Sequence, residues 1–277
     1  MPRHGSQVAR ERLNILWEKF VCGVATERTP TDGHIEDISD FTIDFHPQFD
    51  FESLDISGPS IEARHKVLIW FKPLAEDVLE RFPCKAPAQE FFEYVITRED
   101  PRWKPEDRTQ AVYTLPPSTF HLGPGADGSY PQLDFWRVGD IYETMRTNNQ
   151  KHAHALLTLQ AWHSLDGQED RILLGELYTI ICAMRNRVNQ RKADSKEEEE
   201  ALWSFPVDVE YRGFEFEAKT HFPVILLSYV GSQHGRIIYA YMDRHRLVIC
   251  QSKLYSFEKE ETAPLNLFTR MLLSRPL

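Results

Sequence analysis

Between His221 and Phe257 the chain reads HFPVILLSYVGSQHGRIIYAYMDRHRLVICQSKLYSF, and this stretch constrains the fold more than any other. Phe222 to Tyr229 is nearly unbroken apolar sequence ended by Gly231, too short for a typical helix, so it reads as a strand covered on both faces. Arg236 to Met242 and Leu247 to Ser252 are rich in β-branched and aromatic residues and flank the polar linker Asp243 to Arg246, the pattern of a hairpin. Together the three runs predict a meander whose faces need helices as cover.

Helical cover is legible on both sides of it. Leu173, Leu177, Ile180, Met184 and Val188 recur at spacings of three and four, with Asp166 and Glu169 resembling a helix-opening pair. Val138 to Asn149 and His152 to Leu165 also read as helices, the second gathering Ala155, Leu159, Trp162 and Leu165 on one side. A last helix is expected from Ala263 to Leu273, and an amphipathic one from Val8 to Val24. Three further segments (61–71, 73–82 and 87–98) read as helical, the first alternatively as extended, and Lys196 to Glu200 reads as a solvated charge run.

Glu27 to Pro59 is acidic and punctuated by turn residues, with the alternation Phe41, Ile43, Phe45 marking one edge strand inside a loop-rich segment (27–60). Residues 100–136, with Pro116-Pro117 and the Gly/Pro-rich run Leu122 to Pro131, show no period and hold the one candidate internal boundary. The expected architecture is therefore a single α+β domain over 1–277. It has an antiparallel sheet in the C-terminal half packed by helices, and a helical N-terminal region.

A net charge of −10 argues against a nucleic-acid or anionic-membrane footprint, which needs clustered Lys and Arg. Cys22, Cys84, Cys182 and Cys250 form no Cys-x-x-Cys pair, so reduced thiols are expected, with Cys182 and Cys250 in the core. No secretory leader and no apolar run of membrane-spanning length is visible, and the expected compartment is cytoplasmic or nuclear.

Three constellations carry chemistry. His152, His154 and His163 suggest a metal site, but residues two apart on a helix diverge, and no metal is assigned. Glu176, Asp208 and Glu217-Ala-Lys219 follow the order of the restriction-endonuclease-like nucleases: a helical Glu, a strand Asp and a strand Glu-x-Lys. The resemblance implies Mg2+ held by the carboxylates and a lysine steadying the attacking hydroxide. The chain departs from it: that core passes into a helix soon after its Glu-x-Lys strand, whereas here a strand follows, and the acidic balance disfavours DNA. The third set is the turn Gly231 to Arg236 with Lys253 and Tyr255. His234, Arg236, Lys253 and Tyr255 can bind carboxylate or phosphate, and the bland reading is a tight turn with its charges satisfied at a sheet edge. Neither GxxxxGK[ST] nor a dinucleotide fingerprint occurs, so no cofactor is assigned.

The segments PVILLSYVGSQHGRIIYAY and SKLYSF, preceded by GELYTIICAMRNR, resemble over about residues 165–277 an uncharacterised intracellular family of filamentous ascomycete fungi. The resemblance implies a fungal origin and a shared fold, and brings no catalytic residue with it. Such genes can lie in secondary-metabolite clusters. The leading expectation is a non-catalytic intracellular binding or accessory protein with a protein or small-molecule partner. A metal-dependent nuclease and a small-molecule biosynthetic enzyme stand as alternatives.

Overall fold

In the computed structural model, the described residues are 5–22, 43–52, 109–111, 128–129, 135–144, 155–193, 195–201, 213–231, 233–259 and 262–272. The fold is α+β. Among the described residues nine strands form one mixed sheet: β1 (Ile43–His46), β2 (Thr109–Ala111), β3 (Gly128–Ser129), β4 (Phe135–Thr144), β5 (Leu157–His163), β6 (Val224–Val230), β7 (His234–Asp243), β8 (Arg246–Gln251) and β9 (Tyr255–Ser256). Their order across the sheet is β1-β8-β7-β6-β5-β4-β2, with β3 beside β4 and β9 beside β7.

The meander β6-β7-β8 is antiparallel as expected, and the edge strand around Ile43 is present as β1. The sheet is not antiparallel throughout, however: β1 runs parallel to β8, and β5 parallel to β6. Parallel neighbours need a crossover, and helix α2 (Leu174–Val188) lies on the path from β5 to β6.

The two helices expected at Val138–Asn149 and His152–Leu165 are strands over the described residues, β4 and β5. Leu157-Thr-Leu-Gln-Ala-Trp-His163 is built largely from helix-favouring residues, so local preference points the wrong way. Pairing with β6 on one side and β4 on the other decides the matter, since a central strand is buried on both faces and loses its period.

Sheet parity sorts the core into two layers. Leu157, Leu159, Leu226, Ile238, Ala240 and Ile249 point to α2 and to helix α1 (Gly5–Trp17), which a π-helical turn (Glu18–Cys22) extends. Helix α2 lies between sheet and α1, so nearly its whole circumference is buried. Its seam with α1 is tied by Arg185, whose guanidinium lies 4.1 Å from the Trp17 ring and donates to Asn14 Oδ1 at 2.9 Å. On the opposite face Leu227, Tyr229, Ile237, Tyr255 and Phe257 pack with helix α4 (Leu265–Leu272), where Phe268 meets Phe257 edge to face at 4.9 Å. The short helix α3 (Lys196–Ala201) is the charge run. Cys182 and Cys250 are buried, and neither is in a disulfide. Among the described residues no helix is long and apolar enough to cross a membrane. The segments 61–71, 73–82 and 87–98 lie outside the described residues, as does most of the candidate boundary at 100–136.

Candidate functional site

The densest polar chemistry lies under the first turn of α2. The helix opens at Leu173, later than the Asp166–Glu169 pair suggested, because Glu176 folds back and accepts the Leu173 N–H at 2.8 Å. The same carboxylate accepts from Ser228 Oγ of β6 at 2.6 Å and from Arg236 Nε of β7 at 2.7 Å, and Arg236 Nη2 donates to its other oxygen. Ser228 and Arg236 are direct cross-strand partners, so sheet register alone brings both to the helix. Arg236 Nη1 donates to the carbonyls of Gln168 and Arg171 at 2.7 and 2.9 Å, and Gln251 Nε2 of β8 donates to those of Glu169 and Arg171 at 3.0 and 3.3 Å. One carboxylate and one guanidinium thus tie helix, two strands and the β5–α2 loop together, and Gln251 extends the knot to a third strand.

Glu176 and Arg236 are fully buried, as is His163 at the end of β5. Burial by itself would raise the Glu176 pKa. The Arg236 charge and its hydrogen bonds, with His163 and Ser228 adding to them, prevail and hold it below the ordinary carboxylate value. For His163 burial dominates and lowers the pKa to about 4; Glu176 opposes the shift and Arg236 reinforces it. The helix comes this close because residue 175 is glycine: a Cβ there would stand 2.6 Å from Trp136 and 2.9 Å from His163 Nδ1. With four donors on its two oxygens, Glu176 has no lone pair left for a metal or substrate.

Of the sequence-derived nuclease set, only Glu176 lies in this knot among the described residues. Glu217 and Lys219 stand exposed in and just after a turn instead of on the expected strand, and the Glu217 carbonyl accepts from Ser6 of α1 at 2.6 Å. Asp208 lies outside the described residues, as do His152 and His154. The strand that does pass into a helix is β5, which carries Gln160-Ala161-Trp162, with Asp140 at the register position opposite Gln160. Among the described residues no group of three or more His, Cys, Asp or Glu side chains is placed to hold a metal ion.

The binding set divides. Arg236 belongs to the buried knot and is withdrawn from any surface, because its register position faces α2. His234 is half-buried at the start of β7 opposite Ser256. Lys253 and Tyr255 do come together: the ammonium lies 5.2 Å from the Tyr255 ring and 3.1 Å from Glu52 Oε1. Burial raises the Tyr255 pKa, reinforced by the nearby Glu52 charge and a hydrogen bond between the two side chains. Glu52 was not singled out from sequence. It arrives because the segment after β1 docks on the end of β8, with Phe49 N–H donating to Gln251 O at 2.6 Å and Phe51 buried. The alternation at Ile43 and Phe45 marks that neighbourhood but not the contact.

Comparison with protein-family models, curated proteins and solved structures finds no match for this chain.

Proposed function

We propose that this chain is a non-catalytic intracellular binding or accessory protein whose contact surface centres on Lys253, Glu52 and Tyr255, with His234 alongside. The observation that carries this reading is the exposed pair itself. Lys253 and Glu52 are each 55% solvent-exposed, with Tyr255 under the ammonium. Such a cation, carboxylate and phenol can exchange their mutual contacts for those of a partner at little cost, since exposed ion pairs contribute only about 0–1 kcal/mol. The fully hydrogen-bonded Glu176–Arg236 knot, by contrast, serves the architecture. In keeping with the family resemblance, the proposed setting is a filamentous fungus, as an accessory of a biosynthetic pathway.

The test is affinity capture from a fungal lysate with tagged wild type and tagged Lys253→Glu, followed by mass spectrometry of retained proteins and small molecules. A protein partner held at fixed ratio by wild type and released by Lys253→Glu, with the melting temperature unchanged, is expected. Equal retention by both overturns this surface, and a retained metabolite without a protein partner shifts the reading to a small-molecule carrier or enzyme.

A further inference from the structure

The face of the sheet turned toward α4 carries a polar feature that neither the knot nor the exposed pair explains. On β5, Thr158 and Gln160 are each 1% exposed, point to the same face, and sit in an apolar setting of Ile225 and Leu227, their cross-strand neighbours on β6. Gln160 Nε2 donates to the Tyr142 hydroxyl at 3.3 Å. Its Oε1 and the Thr158 hydroxyl oxygen are buried without any hydrogen-bond partner. Rotating the Gln160 amide would move the orphan to its nitrogen and remove none. Buried polar groups are almost always satisfied, so two orphans two residues apart on one strand mark a place where something else supplies the hydrogen bonds.

The neighbouring strand is shaped to the same spot. The β4–β5 register shifts between Val138 and Asp140, which puts Asp140 opposite Gln160 and Tyr142 opposite Thr158. Gly139, at the shift, lies against the Trp162 indole, which any side chain there would have to displace. Bulges of this kind turn a strand locally and recur beside functional sites.

We propose that Thr158 and Gln160 form the floor of a site for a small nitrogen-bearing ligand, a primary amide or amine, whose N–H groups donate to Gln160 Oε1 and Thr158 Oγ1 while its carbon part rests on Ile225 and Leu227. The Tyr142 hydroxyl, already held by Gln160, fixes the amide plane. This site is independent of the Lys253 surface and stands or falls separately.

The full chain, labelled with 15N at glutamine side chains, is titrated separately with acetamide and with methylammonium chloride, the Gln160 resonance pair being assigned by its loss in Gln160→Leu. A saturable shift with one of the two probes is expected in wild type. It should disappear in Thr158→Val, and persist in Thr158→Ser, which keeps the hydroxyl and controls for packing. No saturable shift with either probe overturns the proposal, as does a response to Mg2+ alone, which would make the site a cation site. A second arm reads stability without any probe. Thr158→Val, replacing an unpaired hydroxyl by a methyl, should raise the melting temperature, whereas a fall would show that a resident water already satisfies the group and that no ligand site exists.

Discussion

At the scale of single residues, the Glu176–Arg236 pair governs what the molecule tolerates. Glu176→Gln leaves a buried guanidinium without its counter-charge and should cost about 3–5 kcal/mol in urea unfolding. Ser228→Ala removes one neutral donor and should cost about 1–3 kcal/mol. Equal losses from the two would mean that hydrogen bonding, and not charge, dominates the knot. The pH dependence follows from His163. Its folded pKa of about 4 lies below the ordinary value of 6.5, so below pH 6.5 the unfolded chain takes up the proton first. The stability contributed by keeping His163 neutral is complete above pH 6.5, declines as the pH falls toward 4, and is gone below it. Glu176, also lowered, adds loss in the same direction at more acid pH. Melting temperature against pH should therefore flatten between 6.5 and 4 in His163→Phe relative to wild type; parallel curves would refute the assignment. From sequence, Arg236 looked like one more charge beside a glycine turn. Its burial is invisible there, because the partner that makes burial tolerable sits sixty residues earlier on another element.

At the scale of elements, α2 is held by contact at its start as much as by its apolar stripe. Its first turn lies on Trp136 and His163 through Gly175, and Trp136 meets Tyr178 one turn later, edge to face at 5.7 Å. Gly175→Ala adds helix propensity but forces the helix off the sheet, and overpacking of this kind costs about 1–3 kcal/mol. The expected outcome is a lower chemical-denaturation midpoint despite the better helix former; a higher midpoint would show that α2 can slide without loss. This helix was legible from its spacing of three and four because one stripe of it stays apolar whichever layer it meets. Its starting point was not, since Asp166 and Glu169 resemble an opening pair and only the docked structure shows Glu176 closing back on Leu173. β5 hides from sequence for the complementary reason: a strand buried on both faces has no period of two, and Leu, Ala and Gln favour helix until a neighbouring ladder overrides them.

At the scale of the whole molecule, the central strands carry the stability. β5, β6 and β7 are paired on both edges and covered by α2 on one face, with the α4 layer on the other; β1 has one described neighbour, and β9 is two residues long. Native-state hydrogen exchange should place the amides of β6 at the global unfolding limit and those of β1 and β9 well below it. Comparable protection across all of these strands would mean that the sheet opens only as a unit. The amino-acid sequence determined the α+β class, the β6-β7-β8 meander, the edge strand β1 and the helices α1, α2 and α4. Each is written in a short-range pattern of apolar residues that holds regardless of what packs against it. Only the tertiary structure decided that β4 and β5 are strands, that the sheet is mixed, and that Arg236 is a buried strut while Glu52 joins Lys253 and Tyr255. These depend on which distant segment lies alongside, and the energies that choose a neighbour are hydrogen-bond ladders and buried charge pairs, which leave no periodic trace in the chain.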